Sequence, residues 1–322
     1  MSPDTRTGLS EAGDAALDCL GVDSDDRLLV LCNEPQRGLA DALAVAARAR
    51  TGAVQVLEYP ALSRESEEPP GWIAEAMLQA SIVLATTTFS ISHTRARIEA
   101  SSRGARIAGI YVSEEDFART IDVDYGFLAQ SGGEIAAALT AADTCRITSE
   151  AGTDVALSLA GRRALCDDGN LKEPGAFGNL PAGEAFIAPI ETVGDGTIVF
   201  DGALAGYGLL QAPLRLHLRD GRAVSTEGEA AEWLLSTLDA GGEHGRSIAE
   251  VGIGTNPSAE ICGEIAVDEK VLGTAHIAFG TSVACGGANE AGVHIDGLLL
   301  EPTVELDGVP VTARNPTRGS CL

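Results

Sequence analysis

Lysine is almost missing from this sequence, since Lys172 and Lys270 are its only lysines and arginine supplies the other basic residues. Aromatic residues make up only 4% of the chain. The 47 acidic residues outnumber the 22 basic ones and give a formal net charge of −25. Nucleic acids and anionic lipids are bound through basic residues that displace counterions, so the charge argues against nucleic-acid and membrane partners.

The same acidic, lysine-poor composition is typical of halophilic proteins, in which salt screens the self-repulsion of a highly charged surface. A GC-rich genome that favours Arg and Ala codons explains the composition equally well. The acidity is therefore a background property and does not by itself indicate a function.

Targeting and redox signals are also absent. Residues 1–15 contain neither the basic segment nor the apolar segment of a secretory signal. No run of roughly 18 apolar residues predicts a transmembrane helix. The seven cysteines are scattered without a C-x-x-C pair, so we expect a cytoplasmic protein whose cysteines are mostly small buried hydrophobes.

Strand-like apolar runs alternate with helical patterns through the first half of the chain. The predicted strands are 27–32, 53–59, 81–86 and 105–111, and the predicted helices are 38–50, 71–80 and 93–102. This alternation predicts parallel strands joined by right-handed crossovers, and hence a doubly wound α/β domain. No Gly-rich phosphate-binding motif occurs, so no nucleotide cofactor is predicted.

The pattern changes near residue 145. Beyond it, short alternating runs at 155–159, 197–200, 214–218 and 304–306 are broken by Gly and Asp turns, which predicts a β-rich α+β domain with one helix over 227–238. We therefore predict an α/β N-terminal domain over 1–145 and an α+β domain over 146–322. The length of 322 residues is consistent with two domains.

Histidine is scarce, and its placement is informative. The five histidines are His93, His217, His244, His276 and His294. In G-V-H-I-D-G, His294 and Asp296 are two residues apart and would share one face of a strand, an arrangement that can hold a divalent ion. The alternative is a hydrogen-bonded pair at a surface strand end. His276, bracketed by small residues in G-T-A-H-I-A-F-G, is either a further ligand or a core histidine bonded to a backbone carbonyl.

Two glutamates occur in apolar, Gly-rich surroundings. Glu184 lies in N-L-P-A-G-E-A-F-I-A-P, and Glu250 lies in I-A-E-V-G-I-G-T-N-P. An unpaired buried carboxylate is costly, and a bound metal offsets that cost. With His276, His294 and Asp296 these glutamates form a five-ligand set that suits a pair of divalent ions about 3.5–4 Å apart.

These strings, in this order over roughly residues 150–306, resemble the M29 metallo-aminopeptidase family of the aminopeptidase T type. The stretches D-E-K-V-L-G-T-A-H-I-A-F-G, G-G-A-N and G-T-D-V-A-L-S-L-A-G-R add to the resemblance. The resemblance implies that Glu184, Glu250, His276, His294 and Asp296 ligate two divalent ions, with Zn, Co or Mn as the metal. It makes Glu184 and Glu250 catalytic as well, and implies a homodimer that hydrolyses N-terminal residues from peptides with a metal-activated water.

One position departs from the family. The aminopeptidases carry a tyrosine seven residues after the first histidine ligand, and Val283 stands there in this sequence. A related branch, the 2,5-dihydroxypyridine 5,6-dioxygenases, acts on a small molecule and uses one Fe(II), for which His276, His294 and Asp296 would be the ligands. We favour the hydrolase over this dioxygenase because both glutamates are present. A non-catalytic, metal-stabilised binding protein is the third hypothesis.

Two neighbouring features have two interpretations each. Asp268-Glu269-Lys270 is either a solvated turn with a weak ion pair or a segment that supports the metal ligands. Asn289 is either a plain turn residue or a residue that orients a ligand or the substrate amine.

Overall fold

The computed structural model describes residues 3–63, 67–92 and 94–311, so His93 and Cys321 lie outside the described residues. The protein is a mixed α/β structure with one parallel sheet and two antiparallel sheets, which confirms the predicted fold class. The chain divides into two compact units. The first comprises 1–123 and 169–182, and the second comprises 124–168 and 183–322.

The first unit contains five helices and five strands among its described residues. In chain order they are α1 (Pro3–Leu20), β1 (Arg27–Cys32), α2 (Arg37–Arg48), β2 (Ala53–Glu58), α3 (Gly71–Gln79), β3 (Ile82–Thr86), α4 (Arg95–Ser102), β4 (Arg106–Gly109), α5 (Glu114–Thr120) and, after three strands of the second unit, β8 (Phe177–Asn179). A short 3-10 turn at Glu34–Gln36 precedes α2.

These strands form a parallel sheet in the order β2-β1-β3-β4-β8. Strand β3 is buried at every position, as expected for a parallel strand covered on both faces. The parallel pairing confirms the prediction from alternating strands and helices. The fifth strand was not predicted, because β8 has only three residues and comes from a Gly-containing segment far beyond β4.

A buried ion pair links three strands at one end of this sheet. Asp26 lies just before β1, and its Oδ1 accepts hydrogen bonds from Ser81 Oγ at 2.8 Å and from Arg106 Nη2 at 2.5 Å. Its Oδ2 accepts from the backbone N–H of Asp23 at 2.9 Å. Burial raises the pKa of Asp26, but these donors outweigh burial and hold that pKa below its ordinary value.

The second unit is mostly antiparallel. Its elements are α6 (Tyr125–Ala141), β5 (Thr144–Thr148), β6 (Asp154–Ser158), β7 (Leu165–Asp167), β9 (Glu184–Ile187), β10 (Gly194–Phe200), β11 (Ala203–Leu204), β12 (Gly208–Leu209), β13 (Leu214–Arg219), β14 (Arg222–Glu227), α7 (Ala231–Ala240), β15 (Ile248–Gly254), α8 (Ile265–Asp268), β16 (Ala275–Gly280), β17 (His294–Leu299), β18 (Thr303–Leu306) and β19 (Val309–Val311). Helix α7 is the helix predicted over 227–238.

Two seven-stranded sheets make up this unit. One has the order β14-β13-β10-β6-β5-β18-β19, and the other has the order β12-β11-β17-β16-β15-β9-β7. Apolar side chains from both sheets share one core, which includes Ile147 and Leu216 from the first sheet and Val251 and Ile277 from the second. The second sheet, which we call the donor sheet, therefore packs one of its faces against the core.

The division into units places two segments differently from the predicted boundary between residues 145 and 146. Helix α6 precedes that boundary but belongs to the second unit, where it contacts β7 and β9. Residues 169–182 follow the boundary but return to the first unit as β8. None of the described helices is long and apolar enough to cross a membrane.

Asp26→Asn should destabilise the protein by about 3 kcal/mol at pH 7, because it leaves the Arg106 guanidinium without a buried charged partner. The pKa of Asp26 in the folded protein is lower than its ordinary value of 3.8. The stabilising effect of ionised Asp26 is therefore fully present above its ordinary pKa of 3.8, and it is lost as the pH falls through the lower pKa of the folded protein. Urea unfolding should show a difference between wild type and variant that shrinks below about pH 4.

Asp18→Asn is the matched control, because Asp18 forms an exposed ion pair with Arg50. We expect this control to change stability by no more than about 0.5 kcal/mol. Equal effects of the two substitutions would contradict the structural role of Asp26.

Candidate metal centre

The five predicted ligands lie on four adjacent strands of the donor sheet. Glu184 is on β9, Glu250 on β15, His276 on β16, and His294 and Asp296 on β17. In the pairing, Glu184 lies opposite Gly254, Gly252 opposite His276, Glu250 opposite Ala278, Asp296 opposite Ala278, and His294 opposite Gly280. Side chains of opposed residues share a face and alternate along each strand, so the register places all five on one face.

Small residues surround these side chains. Most strand partners of the five ligands are Gly or Ala, namely Gly252, Gly254, Ala278 and Gly280. Leu298 opposite His276 and Asp167 opposite Glu184 are the larger partners. The small residues leave room above the sheet for the polar groups. At Gly252 the space is already occupied, since a Cβ atom there would lie 2.0 Å from His276 Nε2. The imidazole of His276 therefore lies directly over Gly252, which only glycine permits.

A β-bulge aims Glu250 at the same place. The register between β15 and β16 shifts between Ile248 and Glu250, so Ala249 is the extra residue. Bulges redirect side chains and occur often beside functional sites. Without this shift, Glu250 and Ile248 could not keep their present partners on β16.

Short contacts join the five side chains. His276 Nε2 lies 3.2 Å from Glu184 Oε2 and 3.2 Å from Glu250 Oε1. His294 Nε2 lies 3.4 Å from Glu250 Oε2 and 3.5 Å from Asp296 Oδ1. His276 is completely buried, whereas the His294 side chain is 21% exposed. The structure thus brings together every residue that the sequence analysis named as a ligand.

The hydrogen bonds fix how the histidines can act. His294 Nδ1 lies 2.8 Å from the carbonyl oxygen of Thr281, which can only accept a hydrogen bond. Nδ1 therefore carries the proton, and in the neutral ring Nε2 keeps a lone pair for a metal. Two buried atoms of the cluster, Glu184 Oε2 and His276 Nδ1, make no hydrogen bond among the described residues, although Glu184 Oε2 lies 3.2 Å from His276 Nε2. Such orphaned atoms indicate a missing ion or water.

Lys270 is the unexpected member of the cluster. It is completely buried, its ammonium contacts Glu184 Oε1, and it lies 2.9 Å from Glu269 Oε1 and 3.6 Å from Asp167 Oδ2. Burial lowers the pKa of Lys270, but the three carboxylates outweigh burial and raise that pKa well above its ordinary value. The interpretation of D-E-K as a solvated turn is therefore wrong, because Asp268 and Lys270 are completely buried and the lysine is paired with carboxylates of the centre.

Negative charge remains in excess around this lysine. The carboxylates of the cluster are Asp167, Glu184, Glu250, Glu269 and Asp296. Burial raises the pKa of Asp167 to about 7 and that of Glu269 to about 8, even though Lys270 lies beside both. Carboxyl groups that hold protons near neutral pH are a sign that further positive charge would be favourable here.

The same carboxylates also shift the pKa values of the two imidazoles. Burial lowers the pKa of each histidine, but the carboxylate contacts outweigh it and raise the pKa of His276 and of His294 well above the ordinary value. Burial raises the pKa of Glu250, yet its contacts with both imidazoles hold that pKa well below its usual range. The same carboxylates that raise these imidazole pKa values would attract a divalent cation.

Three overlapping groups of donor atoms could each hold a metal ion among the described residues. They are Glu184 with Glu250 and His276, Glu269 with His276 and Asp296, and Glu250 with Cys285 and His294. Carboxylate and imidazole donors of this kind accept Fe, Mn, Co and Zn. The buried orphan atoms, the excess negative charge and the donor types all fit a divalent cation.

Some residues of the centre were missed from the sequence. Asp167 lies in C-D-D-G, which carries no recognisable signal, and Cys285 was expected to be a small buried hydrophobe. The cysteine is buried, but its Sγ donates a hydrogen bond to Glu250 Oε2 over 2.6 Å. Asn289 uses its backbone carbonyl to accept hydrogen bonds from Ser282 N and Thr281 Oγ1, so in this structure it organises the loop before β17.

The fold and the donor groups define a metal-binding enzyme. Residues 9–316 match the family model described as NicX: 2,5-dihydroxypyridine 5,6-dioxygenase, and the chain belongs to this family. No curated protein matches the sequence at a significant level. The family is the branch that the sequence analysis kept as its alternative to the aminopeptidase.

Two solved structures share the fold. A 2,5-dihydroxypyridine dioxygenase from Pseudomonas putida KT2440 superposes with a TM-score of 0.82 at 20% identity, covering 97% of this chain and 96% of that one. Wild-type AmpT from Thermus thermophilus superposes with a TM-score of 0.72 at 19% identity, covering 95% of this chain and 97% of that one. The fold is therefore common to a dioxygenase and to AmpT.

Gly252→Ala should weaken divalent metal binding by at least about 10-fold, because the new methyl group would displace the His276 ring that lies over Gly252. Metal binding can be measured by calorimetric titration of the metal-free protein. Gly133→Ala is the matched control, since nothing lies within 4 Å of a Cβ atom at Gly133. Unchanged metal affinity in Gly252→Ala would show that His276 is not part of the centre.

Proposed function

We propose that this protein is a ring-cleaving dioxygenase that uses one Fe(II) held by His276, His294 and Asp296 to open a dihydroxylated pyridine-type ring with molecular oxygen. Two histidines and one carboxylate with open positions beside them are the ligand set of non-haem Fe(II) oxygenases. The substrate class comes from the family to which the chain belongs.

The observation that carries this proposal is the placement of the three side chains on one paired ladder, β16 with β17. On β17, Asp296 lies opposite Ala278 and His294 lies opposite Gly280. On β16, His276 is two residues before Ala278, so its side chain is on the same face. The three donors thus approach from one side of the sheet. The protonated Nδ1 of His294 supports this assignment, because it leaves Nε2 available to the metal.

When bound, Fe(II) would supply a site at which oxygen and the ring hydroxyl groups can meet. The protein's own residues prepare that site. Glu250 lies 3.2 Å from His276 Nε2 and 3.4 Å from His294 Nε2, so its carboxylate places negative charge beside the imidazoles that would hold the cation. The Lys270 ammonium pairs with Glu184, which reduces the repulsion that an anionic hydroxypyridine would meet on entering an acidic site.

A metallo-aminopeptidase is the second candidate. It is favoured by one specific observation, the contact of Glu184 and Glu250 with the same His276 nitrogen, which a dinuclear centre could use. Two features weigh against it. Val283, at the position of the aminopeptidase tyrosine, carries no phenol and is 54% exposed, and Glu184 already has one oxygen on the Lys270 ammonium.

Asp296→Asn should reduce oxygen consumption with 2,5-dihydroxypyridine by at least about 100-fold, because it removes the anionic ligand of the metal. The measurement is oxygen uptake by protein loaded with Fe(II). His217→Gln is the control histidine substitution, since His217 lies on β13 in the other sheet of the unit. Release of an amine from aminoacyl anilides, without oxygen uptake on the dihydroxypyridine, would instead support the aminopeptidase.

A further inference from the structure

Cys285 has a place at the metal centre that the proposed iron ligands leave unexplained. Its Sγ lies 2.6 Å from Glu250 Oε2. Together with His294, these side chains bring one sulfur, one oxygen and one imidazole nitrogen within 4.8 Å of one another. Both Cys285 and Glu250 are buried. Three different donor types thus converge where two of the three side chains are buried and His294 is partly exposed.

The backbone around Cys285 is held from several sides. Cys285 ends a 3-10 turn, Val283–Cys285, and Gly286 follows with a φ of 87°. The carbonyl of Cys285 accepts a hydrogen bond from Ala188 N at 3.2 Å. These contacts hold the backbone from which the Cys285 thiol reaches Glu250.

A buried carboxylate anchors the same loop. Glu191 Oε1 accepts hydrogen bonds from Ser282 Oγ at 2.7 Å and from Ala288 N at 2.6 Å, and its Oε2 contacts the Arg162 guanidinium. These contacts lie on both sides of Cys285 along the chain. Donors held in place before a ligand arrives lose little conformational entropy when it binds.

We propose that Glu250, Cys285 and His294 form a binding site for thiophilic divalent cations of the Zn²⁺, Co²⁺ and Cd²⁺ class. Thiolate is a soft ligand that favours such cations, whereas carboxylate and imidazole alone discriminate less. Binding replaces the S–H bond with a sulfur–metal bond and releases the thiol proton to solvent. No electron is transferred in this step.

This site overlaps the proposed iron site at His294. The Nε2 atom of His294 has one lone pair and can ligate one ion at a time, so a thiophilic cation and Fe(II) should exclude each other. The cation site itself depends only on the three donors, whereas the exclusion of iron rests on the proposed function. An enzyme with this overlap would lose its iron activity when exposed to thiophilic metals.

The test is a Co²⁺ titration of the metal-free protein followed by absorption spectroscopy. A cobalt–thiolate bond gives an intense near-ultraviolet charge-transfer band, and the weaker visible bands report bound Co²⁺ whatever its ligands. We expect the charge-transfer band to rise with added Co²⁺ and to saturate when Cys285 of each chain has bound an ion. The band should be absent in Cys285→Ser, kept in Cys166→Ser, and suppressed by prior loading with Fe(II).

Each outcome decides a different point. Visible bands without the charge-transfer band would overturn the thiophilic site, and so would a charge-transfer band that persists in Cys285→Ser. The wild-type spectrum is decisive even if Cys285→Ser fails to fold. Fe(II)-dependent oxygen uptake in a protein that lacks the charge-transfer band would contradict the thiophilic site and leave the proposed function standing. A protein that binds neither Co²⁺ nor Fe(II) would contradict the metal centre as well.

Discussion

An excess of buried negative charge is the constraint on which the rest of the second unit depends. Among the described residues, several carboxylates share a small volume with one lysine ammonium, that of Lys270. Ionised groups removed from water are stable only when paired or bound to a metal. The pKa values of the two imidazoles and of Asp167 and Glu269 are all raised, which is the direction expected where added positive charge relieves this constraint. A divalent cation meets it without protons.

The donor sheet reconciles this polar cluster with a stable core. Strand β15 is buried at every position, yet its side chains alternate in character. Val251 and Ile253 pack into the apolar core, while Glu250 and Gly252 face the centre. Because the side chains alternate from Glu250 to Ile253, beyond the bulge at Ala249, the face that stabilises the unit and the face that carries the proposed metal ligands belong to the same strands. The rigidity of a packed core is thereby passed to the ligands.

Much of this arrangement could be predicted from the sequence, because it follows from local periodicity. The parallel strands of the first unit follow from their apolar runs, and the shared face of His294 and Asp296 follows from their spacing of two. The roles of Lys270 and Cys285 could not be predicted, since each depends on a contact with a glutamate from a distant strand. Strand β8 was not predicted for a similar reason, because its pairing with β4 defines it more than its own residues do.

Lys270, one of the two lysines of the sequence, also bears on the choice between the dioxygenase and the aminopeptidase. In the proposed dioxygenase, the Lys270 ammonium occupies one oxygen of Glu184, and a single divalent ion completes the centre. The most direct measurement is the number of Fe(II) ions bound per chain under anaerobic conditions, in the wild type and in Glu184→Gln. The account predicts about one ion in both proteins. Two ions in the wild type, with one lost in Glu184→Gln, would contradict it and indicate a dinuclear hydrolase.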